Sequence, residues 1–237
     1  MDSSNRAADY NDLITSSSWK DTLQDLNDYI VDNLARAGEP AVINGNLFYK
    51  HLERDFHNLP LNTEFESKRR NFFELARRST CLFEIGVNAG HSMLLALMAN
   101  PELKCVGLDV CERLNQRWAR VDIYVPAAFN WLRYKFGDRV ELIKGNSLIE
   151  TPRFQLENPD ATVDFLHLDG SKDTHLREAI AIGGLMPTDG FVVHDDFQMR
   201  NVRVADRQLR RINFSKPLDY QSNGLVECDF HIIRAKV

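Results

Sequence analysis

The chain has 237 residues, of which 43% are hydrophobic and 10% aromatic, and its formal net charge is −5. This composition excludes a disordered, collagenous or coiled-coil protein, and the length suits one large domain or one domain with an appendage. With 29 basic residues against 34 acidic ones there is no positive field to favour nucleic acid, and no run of about 18 apolar residues is present to span a membrane.

Residues 1–18 are polar and acidic, unlike a secretory signal peptide, and read as a frayed leader. From Trp19 to Ala37, the residues Leu23, Leu26, Ile30 and Leu34 recur at helical spacing, which predicts an amphipathic helix stopped by Gly38 and Pro40. Asn44-Gly45 marks a turn. Glu64 to Arg78 reads as a second helix carrying Phe65, Phe72, Phe73 and Leu75.

After Thr80 the texture changes. Short apolar runs at 81–86, 104–110, 139–146, 163–170, 190–196 and 229–237 read as strands, and 91–100, 113–136, 174–186 and 201–212 are patterned as helices. This alternation predicts an α/β fold with a doubly wound, mostly parallel sheet. In such sheets ligands bind beyond the carboxyl ends of the strands. Those ends are Glu84-Ile85-Gly86, Asp109, Gly145-Asn146, Asp169-Gly170 and His194-Asp195-Asp196, so all should converge on one crevice.

The first strand-to-helix turn runs Glu84-Ile85-Gly86-Val87-Asn88-Ala89-Gly90-His91-Ser92. Gly86 and Gly90 permit a sharp bend and a close ligand. The turn is neither G-x-G-x-x-G nor a P-loop, which disfavours pyrophosphate and triphosphate. A nucleoside without phosphates suits it better, with Asp109 accepting from ribose hydroxyls and Glu84 either meeting an ammonium or organising the loop. Asn146 can address an adenine edge or ribose, and Ser147 either joins it or caps the next helix. His91 and Ser92 open a helix whose backbone N–H groups can face a carboxylate, with a plain cap at Ser92 as the alternative.

Asp169, Asp195 and Asp196 at neighbouring strand ends repel one another and are costly to bury unpaired. A hard divalent cation, magnesium first, resolves this; helix capping or pairing with Arg200 and Arg203 is the alternative. His167 reads as a satisfied core residue, and His194 should point away from Asp195. The aromatics Trp118, Tyr124, Phe129, Trp131, Tyr134 and Phe136 read as core or interface. Arg200, Arg203, Arg207, Arg210 and Arg211 read as a solvated helix face, or as a seat for an anionic acceptor. Cys81, Cys105, Cys111 and Cys228 lack zinc-site spacing and read as reduced thiols of a cytoplasmic protein.

Glu84-x-Gly86-x-x-x-Gly90 after a first strand, with Asp109 closing the second, resembles the class I S-adenosylmethionine (SAM)-dependent methyltransferases over about residues 80–237. The later pattern, Asp169-Gly170, Leu185-Met186-Pro187 and Asp189 to Asp196, is similar to their small metal-dependent O-methyltransferases of the macrocin and catechol types. The resemblance implies a seven-stranded Rossmann-like catalytic domain, 80–237, behind an N-terminal helical extension or lid, 1–79. It implies SAM held by Glu84, Gly86, Asn88, Gly90, His91, Ser92, Asp109, Asn146, Ser147 and Asp169. Asp169, Asp195 and Asp196 become magnesium ligands, and Lys172 the general base, its pKa depressed beside the cation. The sugar type carries a histidine where this chain has Lys172, which leaves the acceptor class open. The implied activity is O-methylation of a small molecule, sugar-bearing or otherwise specialised, by a cytoplasmic enzyme needing neither nucleic acid nor membrane, with a homodimer the default assembly. The competing readings are another group transfer on the same scaffold and a degenerate cofactor-binding regulator.

Overall fold

The structure is a computed structural model that describes residues 9–237, so residues 1–8 of the expected leader lie outside the described residues. The rest of that leader is not frayed. Asp9 Oδ1 accepts from Asp12 N at 2.8 Å and caps α1 (Tyr10–Thr15), which buries Tyr10 and Leu13. The predicted amphipathic helix is α2 (Ser17–Arg36), capped by Ser16 and burying Leu23, Leu26, Ile30 and Leu34. A small antiparallel ladder follows, β1 (Val42–Ile43) with β2 (Glu53–Arg54), and then α3 (Glu66–Arg78).

The main sheet contains β3 (Cys81–Ile85), β4 (Lys104–Asp109), β5 (Val140–Lys144), β6 (Phe165–Leu168), β7 (Phe191–Asp195), β8 (Ser215–Pro217) and β9 (His231–Lys236). Its order is β5-β4-β3-β6-β7-β9-β8, parallel from β5 to β7, with β9 antiparallel to both of its neighbours. The connecting helices are α4 (His91–Ala99), α5 (Val121–Phe136), α6 (Ser147–Glu157), α7 (His175–Ile182) and α8 (Arg200–Arg211). The chain winds outward from β3 to β5 and then returns to β6, so the strand order switches between β3 and β6, the place where open α/β sheets bind ligands beyond the carboxyl ends.

Three elements depart from the sequence-based expectation. Helix α5 begins at Val121 and not at Arg113; before it, Asn115 Oδ1 accepts from Arg117 N and Arg113 Nε donates to Trp118 O, local bonds that compete with a helical ladder. Helix α6 was not singled out, and β8 is three residues long with no periodicity to reveal it.

Residues 9–79 share a core with the sheet. Tyr10, Trp19, Leu26, Phe48 and Phe73 belong to the same apolar cluster as Leu94, Tyr124 and Leu132, and a second cluster with Phe83, Phe154, Leu166 and Leu209 covers the other side. Of the aromatics near α5, Tyr124, Phe129 and Trp131 are core, whereas Tyr134 is exposed. The four cysteines are free, and among the described residues no helix is long and apolar enough to cross a membrane.

The core also contains neutral histidines. Burial pushes the His91 pKa down from 6.5 to about 3 and that of His175 to about 2. At pH 7 both are neutral in the fold and mostly neutral in the unfolded chain. Below pH 6.5 the unfolded chain takes up two protons that the fold refuses, so each histidine removes about 1.4 kcal/mol of stability per pH unit, until the folded pKa is reached. Urea denaturation at pH 7 and pH 5 should show this loss, and His91→Gln should reduce the slope.

Candidate active site

The bend after β3 is fixed by backbone geometry. Gly86 has φ +85°, and a Cβ there would lie 2.7 Å from the carbonyl of Asp169 and the nitrogen of Gly170. Asp169 N donates to Ile85 O at 2.9 Å, so the glycine turn and the end of β6 are in direct backbone contact. Gly86→Ala should therefore cost about 2 kcal/mol or more through strain and overpacking, read as a lower denaturation midpoint.

Asp109 secures the loop from the β4 side. Its Oδ2 accepts from Val87 N at 3.0 Å and Asn88 N at 3.2 Å, and its Oδ1 from Cys111 N at 2.8 Å; burial raises its pKa. Asn88, at φ +54°, donates to Gly45 O at 2.7 Å and accepts from Tyr124 OH at 2.6 Å. Asn44 N donates to the same tyrosine oxygen, so the Asn44-Gly45-Asn46 turn lies over the glycine bend.

The other expected nucleoside contacts are more committed. His91 is buried and its Nε2 meets Asn27 Oδ1 at 2.8 Å, while Gly90, not Ser92, holds the cap position of α4. Asn146 Oδ1 caps α6 by accepting from Leu148 N at 3.0 Å. Ser147 is therefore not the cap; its hydroxyl donates to Glu178 Oε1 at 2.5 Å. Glu84 is fully buried, and its Oε1 lies 2.6 Å from His167 Nδ1. It thus meets a neighbouring strand rather than an ammonium from solvent.

The acids at the ends of β6 and β7 meet lysines, not Arg200 or Arg203. Lys172 Nζ donates to Asp169 Oδ1 at 2.8 Å and lies 3.0 Å from Asp196 Oδ2. Lys68, reaching in from α3, donates to Asp195 Oδ2 at 2.5 Å, and both partners are buried. Burial and the neighbouring Asp195 charge raise Asp169 to about 7. Burial opposes ionisation of Asp195 as well, but Lys68, His167 and Lys172 hold it well below the usual carboxylate range. For Lys172, burial is outweighed by the three aspartates, and its pKa is raised. With carboxylates as its nearest neighbours Lys172 is held as an ammonium; the depressed pKa expected of it belongs to a site with the cation bound.

The three expected metal ligands do not all lie in one cluster. Among the described residues, donor atoms of His167, Asp169 and Asp195 lie within 4.8 Å of one another, and Asp196 is not of that group. The backbone of Asp196 turns into the left-handed region, φ +53°, and its carboxylate is tied to Lys172 and Gln198. Two buried atoms in the group have no hydrogen-bond partner, Asp195 Oδ1 and His167 Nε2. Glu84, Asp169, Asp195 and Asp196 bring four carboxyl groups to the ammoniums of Lys68 and Lys172 and to the imidazole of His167, whose pKa the bond to Glu84 raises against the effect of burial. A divalent cation suits this carboxyl-rich cluster and the orphaned oxygen.

Residues 83–197 match the family described as "Methyltransferase domain". This segment is a methyltransferase domain. It spans β3 to the residue after Asp196 and so contains every strand-end residue named above. No curated protein matches the chain. Solved structures do. An O-methyltransferase from Bacillus cereus in complex with SAH is 15% identical, with a TM-score of 0.58 over 95% of this chain and 93% of that one. The SAH-bound Podospora anserina methyltransferase PaMTH1 is 15% identical, with a TM-score of 0.60 over 92% and 88%. The O-methyltransferase TomG from Streptomyces achromogenes, involved in tomaymycin synthesis and solved with SAM, is 14% identical, with a TM-score of 0.55 over 90% and 89%. At these identities the likeness establishes the fold, and it extends to the N-terminal helices.

Two residues of this cluster were not among the sequence-predicted site residues, although His167 is buried as expected. His167 stands two positions before Asp169 on one strand, so period-two alternation puts both on the same face; that signal was available. Lys68 lies outside the matched segment, 127 residues from its partner, and nothing local marks it.

Proposed function

We propose that the protein is a SAM-dependent, divalent-cation-dependent O-methyltransferase acting on a hydroxyl of a small molecule. The observation that carries this reading is the backbone contact between the Gly86 bend and Asp169, which sets the glycine turn beside the cluster of His167, Asp169 and Asp195. The SAH and SAM in the neighbours support the cofactor, and TomG, from tomaymycin synthesis, supports a specialised metabolite as acceptor.

SAM, when bound, would supply an electrophilic methyl group to an acceptor oxygen and leave as SAH. A divalent cation supplies Lewis acidity that lowers the pKa of a nearby hydroxyl. The chain does the positioning. Asp169 and Asp195 would hold the cation, the loop anchored by Asp109 would hold the nucleoside, and the turn at 44–46 would limit water at the bend. Lys172 would take the hydroxyl proton only in its neutral form, so its own proton must leave for solvent first, which requires Asp169 and Asp196 to turn from it to the cation. Lys172→Met should lower kcat by roughly 100-fold or more while sparing SAH affinity.

Calorimetric titration with SAM and SAH, with and without chelator, tests the reading, followed by mass spectrometry for SAH formed with hydroxylated acceptors. Binding and chelator-sensitive turnover are expected. Absence of SAM binding in both magnesium and manganese would overturn it.

A further inference from the structure

We propose that His167 is a third protein ligand of the cation, with Glu84 as its positioning residue, and that the site is built for a first-row transition dication rather than magnesium. This rests on the reading that a dication binds at Asp169 and Asp195.

His167 lies on β6 directly across from Glu84 on β3, and its Nδ1 is 2.6 Å from Glu84 Oε1. That short contact commits the Nδ1 proton to the carboxylate, and leaves Nε2 as the nitrogen free for a ligand. A carboxylate behind a histidine in this way fixes its tautomer and ring orientation in metal sites and raises its basicity as a ligand. Nε2 is buried without a partner, and so is Asp195 Oδ1. Buried polar atoms of this kind are costly when left without a partner. The ring, Asp169 and Asp195 place one donor each within 4.8 Å of one another, the span of a single ion's coordination shell.

The other contacts leave this set as the natural one. Lys68 occupies the second oxygen of Asp195, and Lys172 occupies Asp169 Oδ1 and Asp196 Oδ2. A dication bound at Nε2 takes the place of any proton there and faces the carboxyl groups of Asp169 and Asp195. One imidazole and two carboxylates make a mixed nitrogen and oxygen set, whereas magnesium prefers oxygen and retains its water. Manganese, iron, cobalt and zinc accept imidazole readily.

The test uses the full chain, stripped with chelator, reloaded with manganese and labelled with 15N-histidine. Pulsed electron paramagnetic resonance should show a directly bound histidine nitrogen, changing from 14N to 15N coupling with the label. Manganese should bind more tightly than magnesium by calorimetry. His167→Gln, whose amide can still donate to Glu84, should weaken manganese binding by roughly 10–100-fold, and Glu84→Gln by a similar factor. If that variant does not fold, the spectrum of the unaltered protein decides alone. Manganese that binds and is lost in Asp169→Asn, but shows no histidine nitrogen, overturns the His167 assignment and leaves the carboxylate site standing. Failure of any dication to bind overturns both.

Discussion

Asp195→Ala should lose about 3–5 kcal/mol of folding stability together with all turnover. The cause is Lys68. Its ammonium is buried against Asp195 Oδ2 at 2.5 Å, and removing the carboxylate leaves a charge in a dry interior with its nearest partner gone. The remaining aspartates are tied to Lys172, so they cannot take up Lys68 without releasing a second cation. A double variant, Lys68→Met with Asp195→Leu, removes both charges and should regain most of the lost stability in urea denaturation while remaining inactive. Recovery of the fold without recovery of activity would separate the structural role of this ion pair from its chemical one. If the single variant were as stable as the parent, Lys68 would not be held as described.

Asp169→Asn should behave in the opposite way: kcat/KM falls by about 1,000-fold or more, while the denaturation midpoint holds steady or rises. A lost cation ligand removes several kcal/mol of stabilisation from the developing charge, and every 1.4 kcal/mol or so is tenfold in rate. Yet the asparagine removes a carboxylate that is buried beside Asp195 and repelled by it, the cause of its raised pKa. Active sites often hold such destabilising arrangements for the sake of chemistry. Stability measured on the chelated protein isolates this effect from ligand binding. A large drop in stability for Asp169→Asn, with turnover intact, would place the residue in the scaffold instead of the reaction.

Much of the fold was legible because its signals are local. Alternating apolar runs and helical periodicity located α2, α4, α7, α8 and six of the seven strands of the main sheet. Gly86, Asp109, Asp169 and Asp195 could be placed at one crevice because a parallel sheet brings all its carboxyl ends to one side. The acidic residues at those ends then implied a cation by electrostatics alone.

Other features depend on contacts that have no local trace. Tyr10 and Leu13 make α1 ordered only because a shared core is there to receive them. Asn115 halts a helical pattern with side-chain bonds that compete with the ladder. The sequence by itself determined the sheet, the glycine bend and the ring of strand-end acids, since each is written in residues a few positions apart. Only the tertiary structure decided which charges meet: Lys68 crosses 127 residues to Asp195, Asp196 turns aside to Lys172, and Glu84 commits one nitrogen of His167 and leaves the other open. Pairing of buried charges is settled by distance and desolvation in the folded interior, and neither is encoded in any short stretch of chain.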